Sequence, residues 1–572
     1  MLDLLHVPFV QRGLLEVLAL SVAAGLVGTW IVLRGLAFYA HALGTAAFPG
    51  LVLADGLGFA PPLGALGAAT LFTGGVARLG AGGRRGHDSA VALVLVGFLA
   101  AGVVLASDVL HSGARIETLL FGSLLLVEPR DIVVAAVASL LALAASLALG
   151  ARWLASGFEP ARTGSGVELP EAILLVVVAG TTVAALSALG ALLAAALLVV
   201  PAATARLWTI RMTAWQLVSV GLAAIEGSAG LWLSVRTNAP PGPAIAVVAG
   251  ATFVLAALAR PRGRPVRALV VAAPLALALS LGTANVSPGA GARLLVVAST
   301  TQVADFARAV GGAAVYVHPV LRANTDPHEY EPRPRDVIAA SEAKLVVTSG
   351  FRLDAWMQRV VEQAGGASTT DLSLGLPVRL KGPDGGADPH WWHDPLDVGA
   401  AIQRLRDALA RADPAHAGFF AANAARYERR LQTLNEEVRR CIHLVPAAAR
   451  TLVTSHDSLA YFARRYGLRI VGAIVPAQAE SAEPSARDVA HLTAQVRSAH
   501  VRAIFLERST SPRLGRAVSR ETGVRTAELY GDTLGPPGSP GETYLGMVAT
   551  NASTIVRGLT GGKRGCAGGG PA

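Results

Sequence analysis

Two histidine motifs repeat the same three residues, Asp326-Pro327-His328 and Asp388-Pro389-His390, and a third histidine stands in Ser455-His456-Asp457. Each follows a turn or a strand-like run. A neutral imidazole suits zinc best among common metals, and a carboxylate as fourth ligand would complete a tetrahedral site. The intervals are far too wide for a local finger motif, so these side chains can act together only if the fold brings them together. Read alone, the pattern is a weak signal, since three loop histidines are more often solvent-facing residues than ligands. Asp326, Asp388 and Asp457 also have two readings, orienting the imidazoles or capping turns. Cys441 and Cys566 are the only cysteines. They cannot build a disulfide framework or a cysteine zinc site, and one facultative disulfide is left open.

The elements that must position these histidines alternate. Leu294–Ala298, Leu345–Thr348, Thr451–Thr454, Ile470–Ile474 and Ala503–Leu506 are short apolar runs of strand size, separated by amphipathic stretches. That alternation predicts α/β lobes, with ligands at the carboxyl ends of the strands. Between Pro414 and Ile442 a continuous helix former predicts a rod on the order of 40 Å long, enough to join two lobes.

Everything before this region is different. The chain is 52% hydrophobic and only 15% charged, an excess unusual for a soluble protein, and it is concentrated at the N-terminal side. Segments near 14–33, 89–107, 131–150, 171–189, 213–235 and 243–259 approach the ~20 apolar residues that span a bilayer. Further segments near 42–58, 61–77 and 190–205 are interrupted by Gly or Pro and read as short, re-entrant or kinked. The expectation is an all-α polytopic membrane bundle of about 8–9 helices. Gly64, Gly67, Gly97, Gly190, Gly221 and Gly230 suit close packing of helices in lipid.

The net charge of +10 does not require a nucleic-acid partner. Arg78, Arg84 and Arg85 share one inter-helix loop, Arg152 and Arg162 another, Arg206 and Arg211 a third, and Arg260, Arg262, Arg264 and Arg267 a fourth. Basic residues collect in this way in cytoplasmic loops. After Arg267 the apolar run 268–282 and Thr283-Ala284-Asn285 have the grammar of a secretory signal placed mid-chain. Retained as a linking membrane helix or cut near Ala284, it puts the rest of the chain outside the cytoplasm; retention as a tether is the favoured reading.

Longer stretches carry two resemblances. AST-TQVADFARAVGG and DPHEYEPRPRDVIAASEAKLVVTSGFRLDAW (within 298–356), DPHWWHDP (388–395), TSHDSLAYFARRYGL (454–468) and YGDTLGPPGSPGETYLGMVATN (530–551) resemble the cluster A-I solute-binding proteins of zinc/manganese ABC transporters. GALLAAALLVVPAATARL (190–207), GLWLSVRTNAPPGPAIAV (230–247) and ETLLFGSLLLVEPRD (117–131) resemble the ABC-3 permeases that partner them. Together they imply a membrane permease at 1–262, a basic segment, linking helix and linker at 263–291, and a two-lobed metal-binding domain at 292–560. The lobes would be 292–413 and 443–560, joined by a long rigid helix at 414–442, with a disordered tail at 561–572.

By position, the resemblance places metal ligands at His328, His390, His456 and Asp532, the first two from one lobe and the others from the second. Manganese-type members often have glutamate at the third position, so His456 leans towards Zn²⁺, with Mn²⁺ or iron as the alternative. His393 replaces a usual apolar residue and is expected outside the ligand set, as is Glu507. In the permease half, His41 and Thr45 occupy the positions where the family has an Asp and a His thought to contact metal. Their spacing keeps them on one helix face. Glu226 is a further intramembrane ionisable group, expected to hydrogen-bond within the bundle. Phe158, Glu159, Pro160, Ala161 and Arg162 fall where the family couples to its ATPase.

No phosphate-binding loop of the G-x-x-x-x-G-K-[ST] form occurs, so ATP hydrolysis is expected from a separate ATPase subunit, working with a permease dimer in the lipid bilayer. Two other classes are weaker. A membrane-anchored zinc hydrolase would need a general base beside an open metal position. A metal sensor or adhesin would not need so many helices.

Overall fold

The computed structural model describes the chain except residues 1–7, 80–83, 106–123, 125–126, 159–168, 260–292, 329, 383–384, 476–492, 495, 499–500, 509–512 and 567–572. The chain divides into two compact units, Met1–Ser287 with Glu331–Val337, and Pro288–Tyr330 with Ile338–Ala572.

The first unit is helical. Among the described residues it contains α1 (Pro8–Arg34), α2 (Ala37–Ala46), α3 (Phe48–Leu57), α4 (Pro61–Leu79), α5 (Arg84–Val104), α6 (Pro129–Phe158), α7 (Leu169–Arg206), α8 (Met212–Thr237) and α9 (Pro241–Leu258). Six described stretches are long and apolar enough to cross a membrane: Val10–Arg34, Ala37–Ala54, Pro129–Ser156, Leu169–Leu186, Met212–Thr237 and Pro241–Leu258. That is fewer full-length spans than the eight or nine segments expected. The segment 42–58 is counted within Ala37–Ala54; the shortfall lies instead near 89–107, where only Asp88–Gly102 remains as a shorter apolar helix, and near 190–205, where only Ala196–Arg206 does, beyond a break in α7 at Gly190. Gly190 sits at φ 72°, ψ 166°, a conformation that L side chains rarely adopt.

α1 is the hub, packed on α6, α7 and α8. Small residues allow the contacts: a Cβ on Gly64 would lie 2.0 Å from the Gly50 carbonyl oxygen. Gly67, Gly97 and Gly221 meet no such neighbour within 4 Å among the described residues. α6 faces outward with Val133, Leu140, Leu141 and Leu147 exposed, an apolar surface suited to lipid. Arg34 donates to the Trp153 carbonyl at 2.9 Å and stands 3.8 Å from Glu171.

The second unit has two four-stranded parallel sheets, ordered β2-β1-β3-β4 and β6-β5-β7-β8. The first comprises β1 (Leu294–Ala298), β2 (Val315–Pro319), β3 (Leu345–Thr348) and β4 (Ser368–Asp371). The second comprises β5 (Thr451–His456), β6 (Arg469–Val475), β7 (Ala503–Glu507) and β8 (Arg525–Leu529). Strands such as LVVT in β3 are buried throughout because helices cover both faces of a parallel sheet. The helices are α10 (Thr301–Gly311), α11 (Pro334–Glu342), α12 (Trp356–Ala364), α13 (Pro395–Ala412), α14 (Ala417–Ile442), α15 (Ala460–Tyr466), α16 (Arg513–Thr522) and α17 (Tyr544–Leu559).

α14 is the rod between the lobes. Phe420, Ala424, Tyr427, Leu431, Leu434, Val438 and Ile442 are buried along one stripe at helical spacing. Its end is joined covalently to the C-terminal residues: Cys441 and Cys566 form a disulfide with Cα atoms 5.3 Å apart and a sequence separation of 125. Closing so long a loop is worth about 4–5 kcal/mol in the chain-entropy account.

For residues 561–566 this corrects the expectation of disorder. The Gly562 N–H donates to the Arg557 carbonyl at 2.8 Å, and Gly561 and Gly562 adopt φ 66° and 84°. The glycines that suggested disorder instead terminate α17 in a left-handed turn and send the chain back to Cys441. The linking segment 263–291 and the last residues, 567–572, lie outside the described residues.

Candidate metal centre

The centre lies at the carboxyl ends of both sheets, where parallel strands open onto a cleft. His328 follows β2 on an irregular segment. The Asp326 carboxylate accepts its backbone N–H at 2.7 Å, and Trp356 Nε1 donates to the Pro327 carbonyl at 3.0 Å. His390 is the N-cap of a 3-10 turn, Trp391–His393, which ends at Asp394. Trp391 anchors that turn by donating to the Ser349 carbonyl at 3.1 Å. Asp532 follows β8, and its backbone carbonyl accepts from Gln302 Nε2 at 2.9 Å.

These three residues converge. The Nε2 atoms of His328 and His390 are 3.3 Å apart. His390 Nε2 is 3.4 Å from Asp532 Oδ1, and His328 Nε2 is 3.9 Å from Asp532 Oδ2. One ligand atom from each lies within 4.8 Å of the other two. His390 and Asp532 are buried, at 1% and 0% exposure, so water competes poorly for the charge between them. His456 ends β5, in the sheet that also leads to Asp532, but its side chain lies outside the described residues.

The aspartates split between the two roles left open by sequence. Asp326 caps its turn. Asp388 orients an imidazole: its Oδ1 takes the Nδ1–H of His390 at 2.7 Å and the His390 backbone N–H at 3.0 Å. Burial works to raise the Asp388 carboxyl, but the hydrogen bond and charge of His390 outweigh it, and the group is held below its usual value. Asp388 is therefore an anion that fixes the His390 tautomer and presents Nε2 to the cleft. Two neutral imidazoles and a carboxylate form a donor set that divalent transition metals accept.

Residues 296–558 match the family described as zinc-uptake complex component A, periplasmic (ZnuA), and residues 6–260 match the ABC 3 transport family. The iron-binding protein YfeA of Yersinia pestis is 30% identical over 269 residues, 46% of this chain and 86% of that protein. The manganese-binding lipoprotein MntA of Halalkalibacterium halodurans is 31% identical over 271 residues, 47% of this chain and 90% of that protein. The chain is an ABC-3 permease fused to a ZnuA-like solute-binding domain. Among solved structures, the periplasmic zinc-binding protein TroA from Treponema pallidum aligns with 29% identity and a TM-score of 0.44, covering 47% of this chain and 99% of that one.

Such a fusion is part of a metal ABC importer, and both families are transport components rather than enzymes. In the permease, His41 and Thr45 both lie on α2, half-buried, where it packs against α4, α5 and α7. Phe158 ends α6, and Glu159–Arg162 lie outside the described residues. Glu226 departs from expectation: it is fully buried on α8, and neither carboxylate oxygen has a hydrogen-bond partner among the described residues. Glu16 on α1 is the same, an acidic residue that the surrounding run of Leu and Val hides in the sequence.

In the binding domain the two residues expected outside the ligand set are both buried. His393 is buried at 1% exposure with its ring 5.7 Å from that of Trp392, so it packs within the turn that follows His390. Glu507 ends β7 directly behind Asp532. Its carboxylate accepts from the Ser458 hydroxyl, and a Cβ on Gly531 would lie 1.7 Å from Glu507 Oε2. A larger residue immediately before Asp532 would therefore have to displace the Glu507 carboxylate. A signal for it exists in the sequence, since Glu507 is an acidic residue at the carboxyl end of an apolar strand.

Proposed function

We propose that this chain captures Zn²⁺ between its lobes through His328, His390, His456 and Asp532 and passes it to its own membrane half. The observation that carries the reading is the convergence of His328, His390 and Asp532, whose ligand atoms lie within 4.8 Å of one another. Zinc is preferred because His456 would add a third imidazole at the position where manganese-type members often have glutamate, and imidazoles suit zinc best among common metals. Manganese or iron is the second reading, favoured by the relatives named for those metals.

Within the permease, His41 and Thr45 are the proposed contacts for the ion in transit, and Phe158–Arg162 the proposed coupling loop. A separate cytoplasmic ATPase and a permease dimer complete the transporter. The binding domain faces the extracytoplasmic side on a retained tether, which makes delivery an intramolecular encounter at raised effective concentration. Uptake by vesicles holding the full chain and its ATPase tests this directly. Zn²⁺ accumulation should require ATP and vanish without the ATPase; ATP-independent accumulation, or none, overturns the importer assignment, and preferential Mn²⁺ uptake overturns zinc.

A further inference from the structure

The segment that carries His390 belongs to the first lobe, yet both of its ends are held by one short helix of the second. α15 begins four residues after His456. On it, Tyr461 and Arg465 are spaced i,i+4 and so share a face. The Tyr461 hydroxyl donates to the Asp388 carbonyl at 3.2 Å and accepts the Leu380 N–H at 3.0 Å. Arg465 grips Asp394 with both arms of its fork: Nε lies 2.8 Å from each carboxylate oxygen and Nη2 lies 2.7 Å from Oδ2.

Asp394 is a structural corner. Its carboxylate is only 1% exposed, it accepts the Leu396 N–H at 3.0 Å as the N-cap of α13, and its own N–H donates to the Trp391 carbonyl at 3.0 Å. The intervening 3-10 turn is closed at its other end by the His393 N–H on the His390 carbonyl at 3.2 Å. Any shift of Asp394 is therefore transmitted through one tight turn to His390.

We propose that Tyr461 and Arg465 are positioning residues of the metal centre: α15 clamps the segment Asp388–Asp394 and holds His390 in register with the ligands of the second lobe. A bidentate guanidinium–carboxylate pair adds geometric definition that a lysine could not. The inference rests on the proposal that the cleft captures metal.

The test uses the full chain in detergent, stripped of metal and titrated separately with Zn²⁺ and Mn²⁺ against a competing chelator. For whichever ion the parent binds, Arg465→Gln should weaken affinity on the order of tenfold, the scale seen when partners of metal ligands are lost. Arg465→Lys should recover only part of it. Asp394→Asn combined with Arg465→Gln should be no weaker than the worse single variant, since the pair acts as a unit. A merely structural role would lower the melting temperature of the metal-free chain and leave affinity alone. Should Arg465→Gln fail to fold, Tyr461→Phe removes one hydroxyl and should still weaken binding by about threefold, a net hydrogen bond's worth. Affinities of the folded variants within about twofold of the parent overturn the clamp. A parent that binds neither ion overturns the capture proposal, and the clamp with it.

Discussion

The two units bury carboxylates in opposite ways. In the α/β unit, Asp388 and Asp394 are each tied by hydrogen bonds to an imidazole, a guanidinium or backbone N–H groups, and those ties aim ligands or hold corners. In the helical unit, Glu16 and Glu226 are equally buried but have no hydrogen-bond partner among the described residues. A buried charge left unpaired is costly, while a paired one is chiefly a source of geometric definition. Asp397 is the exception that bridges the comparison. It is fully buried on α13, one turn after Asp394, and its oxygens lack well-formed hydrogen bonds among the described residues.

The comparison can be broken most sharply at the ligand itself. His390→Ala should weaken metal binding by at least about a hundredfold, beyond the range for outer partners. Titration of the full chain would show it; unchanged affinity removes His390 from the centre. Asp388→Asn should cost less, about tenfold to a hundredfold, because Nε2 remains but its tautomer and aim are no longer enforced. If the two variants were equal, Asp388 would be acting on more than His390.

Asp397→Asn should act on stability and in a pH-dependent way. Burial pushes the Asp397 carboxyl up to about 7, with the charge of Asp394 adding to the rise and Arg465 and Arg464 opposing it. The folded state then holds a proton that the unfolded state releases from its ordinary value of 3.8. This group's contribution falls as pH rises from near 3.8 through about 7 and stays low above. The metal-free variant should melt like the parent near pH ~4 and above it at pH ~8, as thermal scans across that window would reveal. A gap that shrank with rising pH would reverse the assignment. The smallest effect is expected in the helical unit. Glu226→Gln removes no hydrogen bond and should leave thermal unfolding within about 2 °C of the parent. A large fall would show that the carboxylate has a partner after all.

Much of this is legible in the residues. Apolar runs of bilayer length, arginines gathered in loops, and short apolar strands alternating with amphipathic helices each reflect a local periodicity, and local periodicity survives in a one-dimensional reading. The rod at α14 is visible for that reason. The glycines at 561 and 562 mislead because composition does not distinguish a flexible tail from a helix-terminating turn. The roles of Tyr461 and Arg465 are hidden because their partners lie far along the chain: Arg465 and Asp394 are 71 residues apart.

By itself, then, the sequence determined the division into a membrane half and an α/β half, the strand and helix periods, and the histidines available as ligands. Whether Asp326 and Asp388 capped turns or aimed imidazoles, how near His328 and His390 come to Asp532, and which helix holds the ligand segment were decided only by tertiary structure. The reason is that side-chain periodicity is set by neighbours three or four residues away, whereas a metal centre is a matter of ångströms between atoms that only the packing of two lobes can bring together.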